Sequence, residues 1–507
     1  MADRSLRRMQ AIRRKGFLVW TESGMKEVGL SEKRQFGRSA ISISSAKNEY
    51  ESFQVVVAPY RANDSLRNVE LEFTDLVSKR FVIGKEKITC YVIGYVQIRG
   101  ATKPEPLFPY NSFWSIMIRQ KIADAQPFWI TVYVPPNAKA GSYSGAIKVS
   151  TKNAGENHVK LKLRVWNFGL PNTMRLKTHF RFRRSDLRSL HVRVQDSAFE
   201  DVLFRYRANA AEHRVSCQST FTPPYAVNRT GRPRAHYEIF DKEIGMLVGL
   251  GMNLFCIHPD DLGERISQKD YFQLLMKLRR HLRRRGWLDI TYLHLDGSLP
   301  LHLVMDQAKI AKAKLPEIKV VADLSVEHRL SKITELADAL ILRLDSKRFA
   351  SEKLLLGAMG EVWIDVACRP KVHGSLCASL HLIDHRRLFW AIWSFGAKGI
   401  VHDWALPARG SVEPLLYPME NGPMNSVRWE TMRDGIEDYE YLCLLEERIH
   451  TLSDSVNRMT ISRQTKSAYL EGKRLLSSIK AKGGWVDVAQ KREQIAKILS
   501  FFSSRLD

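Results

Sequence analysis

The sequence predicts a three-part chain: an N-terminal β-sandwich over 16–170, a central (β/α)8 TIM-like barrel over 171–427, and a C-terminal helical region over 428–507. Three observations carry this. Short strand-like runs separated by turn residues fill the first part. Near residue 172 the rhythm changes to short apolar strands alternating with helical patterns, the signature of a parallel α/β architecture. After 428 only amphipathic helical stretches remain.

Length and composition agree with several folded domains. At roughly 150 residues per domain, 507 residues make two to four. Hydrophobic residues are 44% and charged residues 26%, which excludes wholesale disorder. The sequence has no run of about 18 apolar residues, so no membrane-spanning helix is expected.

In the first part, the strand-like runs are Ala40–Ser44, Glu51–Val57, Ile88–Ile98, Phe128–Val134, Gly145–Ser150 and Val159–Trp166. Pro135-Pro136-Asn137, Lys139-Ala140-Gly141 and Asn153-Ala154-Gly155 punctuate them as turns. Pro171 marks the boundary. Eight strands follow: Lys177–Phe182, Arg214–Cys217, Asn253–Ile257, Ile290–Leu295, Ile318–Ala322, Ala339–Leu342, Glu361–Ala367 and Gly399–Val401. Helical patterns lie between them at Phe240–Leu250, Tyr271–Leu282, Leu301–Ala313, Ser331–Leu336 and Asp384–Phe395. Eight strands in such alternation fit a closed barrel. The stretch 183–236 has poor periodicity, so the first two units are the least defined. Arg433–Leu445, Thr465–Lys480 and Gln490–Phe502 are helical and are expected to pack on the barrel or to form a small bundle.

Lys plus Arg is 79 against 54 Asp plus Glu, a net charge of +25. The densest basic run, Arg279-Arg280-His281-Leu282-Arg283-Arg284-Arg285, ends a helical pattern at Gly286. Cations suit a helix C-terminus and Gly suits the position after it, so a solvated helix end explains the run. No zinc-finger, RNP or basic-zipper pattern is present, and no specific nucleic-acid module is expected. A polyanion partner remains the alternative that the charge suggests. The six cysteines (Cys90, Cys217, Cys256, Cys368, Cys377, Cys443) form no CxxC pair and read mostly as buried thiols. The apolar stretch Gly16–Trp20 behind the basic N-terminus is too short for a signal h-region, so a cytoplasmic location is expected unless a leader precedes this chain. No nucleotide-binding glycine motif or GxSxG elbow occurs, and neither a cofactor nor a metal is expected. The string His258-Pro259-Asp260-Asp261 is only a weak metal pattern.

Chemistry in such barrels sits at the C-terminal ends of the strands. Strand three ends at His258-Pro259-Asp260-Asp261 and strand four at His294-Leu295-Asp296-Gly297. Strand seven carries Trp363, Asp365, Cys368 and Arg369, and strand eight ends at His402-Asp403-Trp404. Carboxylates with aromatic faces at one mouth suit acid chemistry on a sugar and stacking against its ring. The reading takes Asp296, Asp365 and Asp403 as catalytic. His258, His294, Trp363, Arg369, His402 and Trp404 are taken as substrate-binding, with Trp363 or Trp404 as a wall. Because strand neighbours alternate, Asp403 rather than His402 is expected to point inward. The acid-rich Arg433–Tyr441 reads as structural, with its carboxylates favoured by the helix N-terminus.

Several long motifs in order resemble glycoside hydrolase family 123, the β-N-acetylgalactosaminidase-like group. They are AKNEYESFQVVVAP (46–59), PFWITVYVPPNAKAGSYSGAIKV (127–149), RRGWLDITYLHLDGSLP (284–300), GEVWIDVACRP (360–370), DHRRLFWAIWSFGAKGIVHDW (384–404) and LLYPMENGPMNSVRWETMRDGIEDYEYLCLL (415–445). The resemblance implies substrate-assisted hydrolysis of an N-acetylhexosamine glycan. An Asp orients the 2-acetamido group and the adjacent Glu is the general acid. Here Asp296 keeps the first position and Gly297 replaces the acid. The resemblance therefore implies either a site rebuilt around Asp365 or Asp403, or a carbohydrate-binding pseudoenzyme.

Overall fold

A computed structural model describes residues 16–32, 39–61, 64–110, 118–119, 125–227, 233–258, 268–295, 300–323, 333, 335–343, 360–367, 375–403, 405–407, 413–458 and 461–505. The chain forms two compact units: 1–171 with 381–387 and 424–507, and 172–380 with 388–423.

The first unit is built on two sheets. One orders its strands Phe17–Ser23, Glu49–Pro59, Gln126–Val134, Ile88–Ile98 and Ala101–Pro109. The other is centred on the long antiparallel pair Gly141–Thr151 and Gly155–Gly169, with Ala40–Lys47 joined parallel to the latter. Side chains from both sheets share one core, including Phe53, Val55, Phe128, Ile130, Ile147 and Leu161. Alternating strand residues supply it, as in a β-sandwich. All six expected strands form. Ala101–Pro109 is a further strand, and it carries Pro104, Pro106 and Pro109. It is an end strand, where missing N–H donors are tolerated.

Three C-terminal helices, Val427–Asn457, Arg463–Ala481 and Val488–Ser503, belong to this same unit. They pack on one another as a small bundle and meet the strand Gly155–Gly169. The first of them runs from Val427, so the acid-rich Arg433–Tyr441 lies beyond its first turn. Glu430, Arg433, Asp434, Glu437, Asp438 and Glu440 are all buried. The structural role holds, but ion pairing replaces the expected helix-end effect. Arg386 forks onto Asp438 at 2.6 and 2.9 Å. Arg492 reaches Asp438 at 3.1 Å and Glu49 at 2.5 Å.

The second unit is the barrel. Its strands, numbered in chain order, are β1 Lys177–Arg181, β2 Cys217–Gln218, β3 Phe255–Ile257, β4 Thr291–Leu295, β5 Lys319–Asp323, β6 Ala339–Arg343, β7 Glu361–Asp365 and β8 Gly399–His402. They form one sheet in the order β2-β1-β8-β7-β6-β5-β4-β3, all parallel. This is the consecutive order of a (β/α)8 barrel, nearly closed, with its seam between β2 and β3. Among the expected helices, Glu238–Gly249, Gln268–Arg285, Leu301–Lys314 and Leu382–Ser394 form within a few residues of expectation. Half of the pattern at Ser331–Leu336, residues 331, 332 and 334, falls outside the described residues. The poorly periodic stretch holds helices Arg184–Leu190 and Asp196–Glu212. The longer one buries Arg207 among apolar side chains, which blurred its pattern.

The basic run ends helix Gln268–Arg285, and Gly286 follows with φ +73°. Arg283 pairs with Glu317, and Asp241 lies 3.7 Å from Arg285 and 2.6 Å from His281. The cluster is thus partly neutralised within its own fold. Cys90, Cys217, Cys256 and Cys443 are free thiols, Cys377 is disulfide-bonded, and Cys368 lies outside the described residues. Among the described residues, no helix is long and apolar enough to cross a membrane.

Candidate active site

The barrel interior is layered because alternate strand residues face inward. Leu254, Cys256, Tyr292, Val321, Ala339, Ile341, Trp363 and Val401 fill its core. The residue two places further along each strand lies one layer nearer the C-terminal mouth. That parity selects His258, His294, Asp323, Asp365 and Asp403, and His179 on β1 is registered beside Val401.

Three of these are imidazoles in mutual contact. Nε2 of His179 lies 3.0 Å from Nε2 of His258, and Nδ1 of His258 lies 3.0 Å from Nδ1 of His294. All three rings are buried. Burial, reinforced by the neighbouring imidazole of His294 and the Arg181 guanidinium, holds His179 and His258 well below the usual histidine range. Both rings are therefore neutral near pH 7. Asp403, with its side chain 32% exposed, places Oδ1 3.8 Å from Nδ1 of His179. Asp365 accepts a hydrogen bond from the Ala367 backbone at 2.9 Å, just past the end of β7.

Two expected site residues lie elsewhere. Trp363 does not wall the mouth. It is one layer deeper than Asp365 and fully buried, with its indole N–H donated to Glu361 at 3.1 Å. Its ring fits because Gly399 faces it; a Cβ there would stand 2.7 Å from the indole. Glu361 also accepts from Lys177 at 2.7 Å and from the Tyr292 hydroxyl at 3.2 Å. These four side chains make a polar floor to the barrel. His402 points away from the interior. Its parity is that of Phe180, and the two rings stack 5.5 Å apart between the strands and the outer layer. Asp296, Gly297, Arg369 and Trp404, with Asp260 and Asp261, lie outside the described residues, so the Asp296–Asp403 separation does too.

The sequence reading missed His179 and Arg181. Their signal was present: Lys177, His179 and Arg181 alternate with Thr178 and Phe180, placing the basic and imidazole side chains of β1 on one face. Arg181 is buried and donates to Ser219 at 3.2 Å. Three buried imidazoles beside a carboxylate can relay protons or hold a metal ion.

A model of the glycoside hydrolase 123 N-terminal domain matches residues 30–151, and one of the glycoside hydrolase 123 catalytic domain matches 413–445. A family 123 glycoside hydrolase from Clostridium perfringens, studied for glycolipid glycan hydrolysis, is 14% identical with TM-score 0.66, covering 97% of this chain and 98% of that one. A family 39 glycoside hydrolase from Bacteroides cellulosilyticus is 8% identical with TM-score 0.34, covering 79% of this chain and 81% of that one. A GH5 xyloglucanase from Bacteroides ovatus is also 8% identical, with TM-score 0.25, covering 79% of this chain and 98% of that one. No curated protein sequence matches the chain.

Proposed function

We propose that this chain, which is related to glycoside hydrolase family 123, cleaves an N-acetylhexosamine-containing glycan at the barrel mouth by substrate-assisted hydrolysis. In this reading Asp296 orients the 2-acetamido group, whose oxygen attacks the anomeric carbon. Gly297 offers no proton, so a carboxylate from another strand protonates the leaving oxygen and later activates water. The observation that carries the reading is the parity of Asp365 and Asp403: two carboxylates at the ends of β7 and β8 share the inward face. Arg369 and Trp404 contribute to sugar binding.

Gly297 itself supports a second reading, a carbohydrate-binding protein without turnover. Aryl β-N-acetylgalactosaminide and β-N-acetylglucosaminide substrates separate the two. Turnover by the wild type that falls in Asp296→Ala supports the hydrolase. If the wild type is inactive and Gly297→Glu gains activity, the site is a decayed hydrolase that retains binding. Inactivity of both proteins overturns the hydrolytic reading.

A further inference from the structure

We propose that His179, His258 and His294 bind one divalent transition-metal ion of the zinc class inside the barrel mouth, with the Asp403 carboxylate orienting His179. This goes beyond glycan hydrolysis and does not depend on it.

The donor set is assembled by the fold. The three imidazoles come from β1, β3 and β4, on the inward face of each strand, and their ligand nitrogens lie within 4.8 Å of one another. Tetrahedral zinc–imidazole bonds of about 2.0–2.1 Å put ligand nitrogens roughly 3.3 Å apart. The two 3.0 Å contacts use different nitrogens of His258, so only one of them can join two ligand atoms; ring rotation draws the set, now within 4.8 Å, to that spacing.

Hydrogen bonding among the rings does not account for the cluster. The two ring-to-ring contacts use Nε2 of His179 and both ring nitrogens of His258, and leave Nδ1 of His179 outside them. Nδ1 of His179 and Oδ1 of Asp403 face each other at 3.8 Å, beyond hydrogen-bond range. Each of these buried atoms lacks a hydrogen-bond partner among the described residues. An ion on Nε2 of His179 fixes the proton on Nδ1, directed at Asp403. The result is the carboxylate–histidine–metal arrangement that orients ligands in known sites.

The chemistry also selects the ion. Neutral imidazole nitrogen suits zinc, copper, nickel or iron rather than magnesium or calcium. Asp323, Asp365 and Asp403 on the same inward face offset the charge of Arg181 and the ion. Three histidines leave a coordination position open for water or a ligand oxygen. With Asp403 serving His179, the proton donor of the hydrolytic reading becomes Asp365.

The test uses the full chain, stripped with a chelator and dialysed. Calorimetric titration with Zn²⁺ is expected to show one ion per chain, and Co²⁺ is expected to give visible d–d bands. His258→Ala and His294→Ala should abolish both signals. Asp403→Asn should keep the stoichiometry and weaken binding by roughly 10–100-fold. His158→Ala, at an exposed site away from the barrel, should change neither. If the alanine variants do not fold, His294→Cys keeps a ligand and should add a thiolate-to-cobalt charge-transfer band. Absence of saturable binding by the wild type overturns the proposal and leaves a hydrogen-bonded imidazole chain. Binding that survives both alanine substitutions, or a His294→Cys protein whose cobalt spectrum is unchanged, overturns it as well. None of these readouts involves a glycan, so failure here is distinct from failure of the hydrolytic reading.

Discussion

The side-chain amide of Gln218 bridges the barrel seam to Cys256: its Oε1 accepts the Cys256 backbone N–H at 2.9 Å, while Nε2 donates to the neighbouring Leu254 carbonyl at 2.9 Å. A glutamine at the end of the two-residue β2 thereby supplies the pairing that a longer strand would give β3. Gln218→Leu should leave a buried donor and a buried acceptor unpaired. The expected loss is about 2–4 kcal/mol in denaturant unfolding. An unchanged midpoint would show that the seam closes without the amide.

Gly399 should not tolerate a methyl group. The added carbon would meet the indole of Trp363 at 2.7 Å, in an interior with no room to retreat. Gly399→Ala should cost about 1–3 kcal/mol by overpacking. Combining it with Trp363→Phe should cost less than the sum of the two single changes, which a double-mutant cycle measures.

The polar floor gives the barrel an acid-sensitive element. Burial pushes the Glu361 carboxyl up, but the hydrogen bond and charge of Lys177, with the Trp363 and Tyr292 donors, hold it below its ordinary value of 4.5. A carboxyl depressed by folding stabilises the protein above its unfolded pKa. That stabilisation is lost as pH falls through the folded value. The Tm gap between wild type and Glu361→Gln should therefore be full near neutrality and shrink below about pH 4.5. A gap of constant size from pH 7 to pH 3 would contradict this.

Arg386 holds together buried charge in the sandwich unit. Burial raises the carboxyl of Asp434 well above the usual range, while Arg386 and Arg433 pull it down. Arg386→Met removes the fork on Asp438 and leaves Arg492 to balance that buried carboxylate. A loss of about 3–5 kcal/mol is expected from thermal or denaturant melts. Arg386→Met combined with Asp438→Leu should recover part of it.

For the hydrolytic reading, Asp365→Asn should lower kcat on glycosides with poor leaving groups by roughly 10²–10⁴-fold. It should lower kcat much less on aryl glycosides, whose leaving groups need little protonation. Equal losses on both substrates would assign Asp365 a positioning role instead.

The order of the barrel strands was legible in the sequence because each buried strand is a short apolar run bounded by a helix or a turn. Parallel pairing in chain order then follows from the connection rules. Parity along β8 likewise separates Asp403 from His402 without knowledge of any neighbour. The depth of a residue within the barrel was not legible. Trp363 and Asp365 share one face of one strand, and only the registers of β1, β7 and β8 place the first in the core layer and the second at the mouth. The three-histidine cluster has the same origin. His179, His258 and His294 stand 79 and 36 residues apart in sequence and form no spacing motif. They meet because closure of the sheet brings β1, β3 and β4 to one layer. Local pattern determined the elements and their faces, while contacts between distant strands, set by register and closure, decided which side chains share a site.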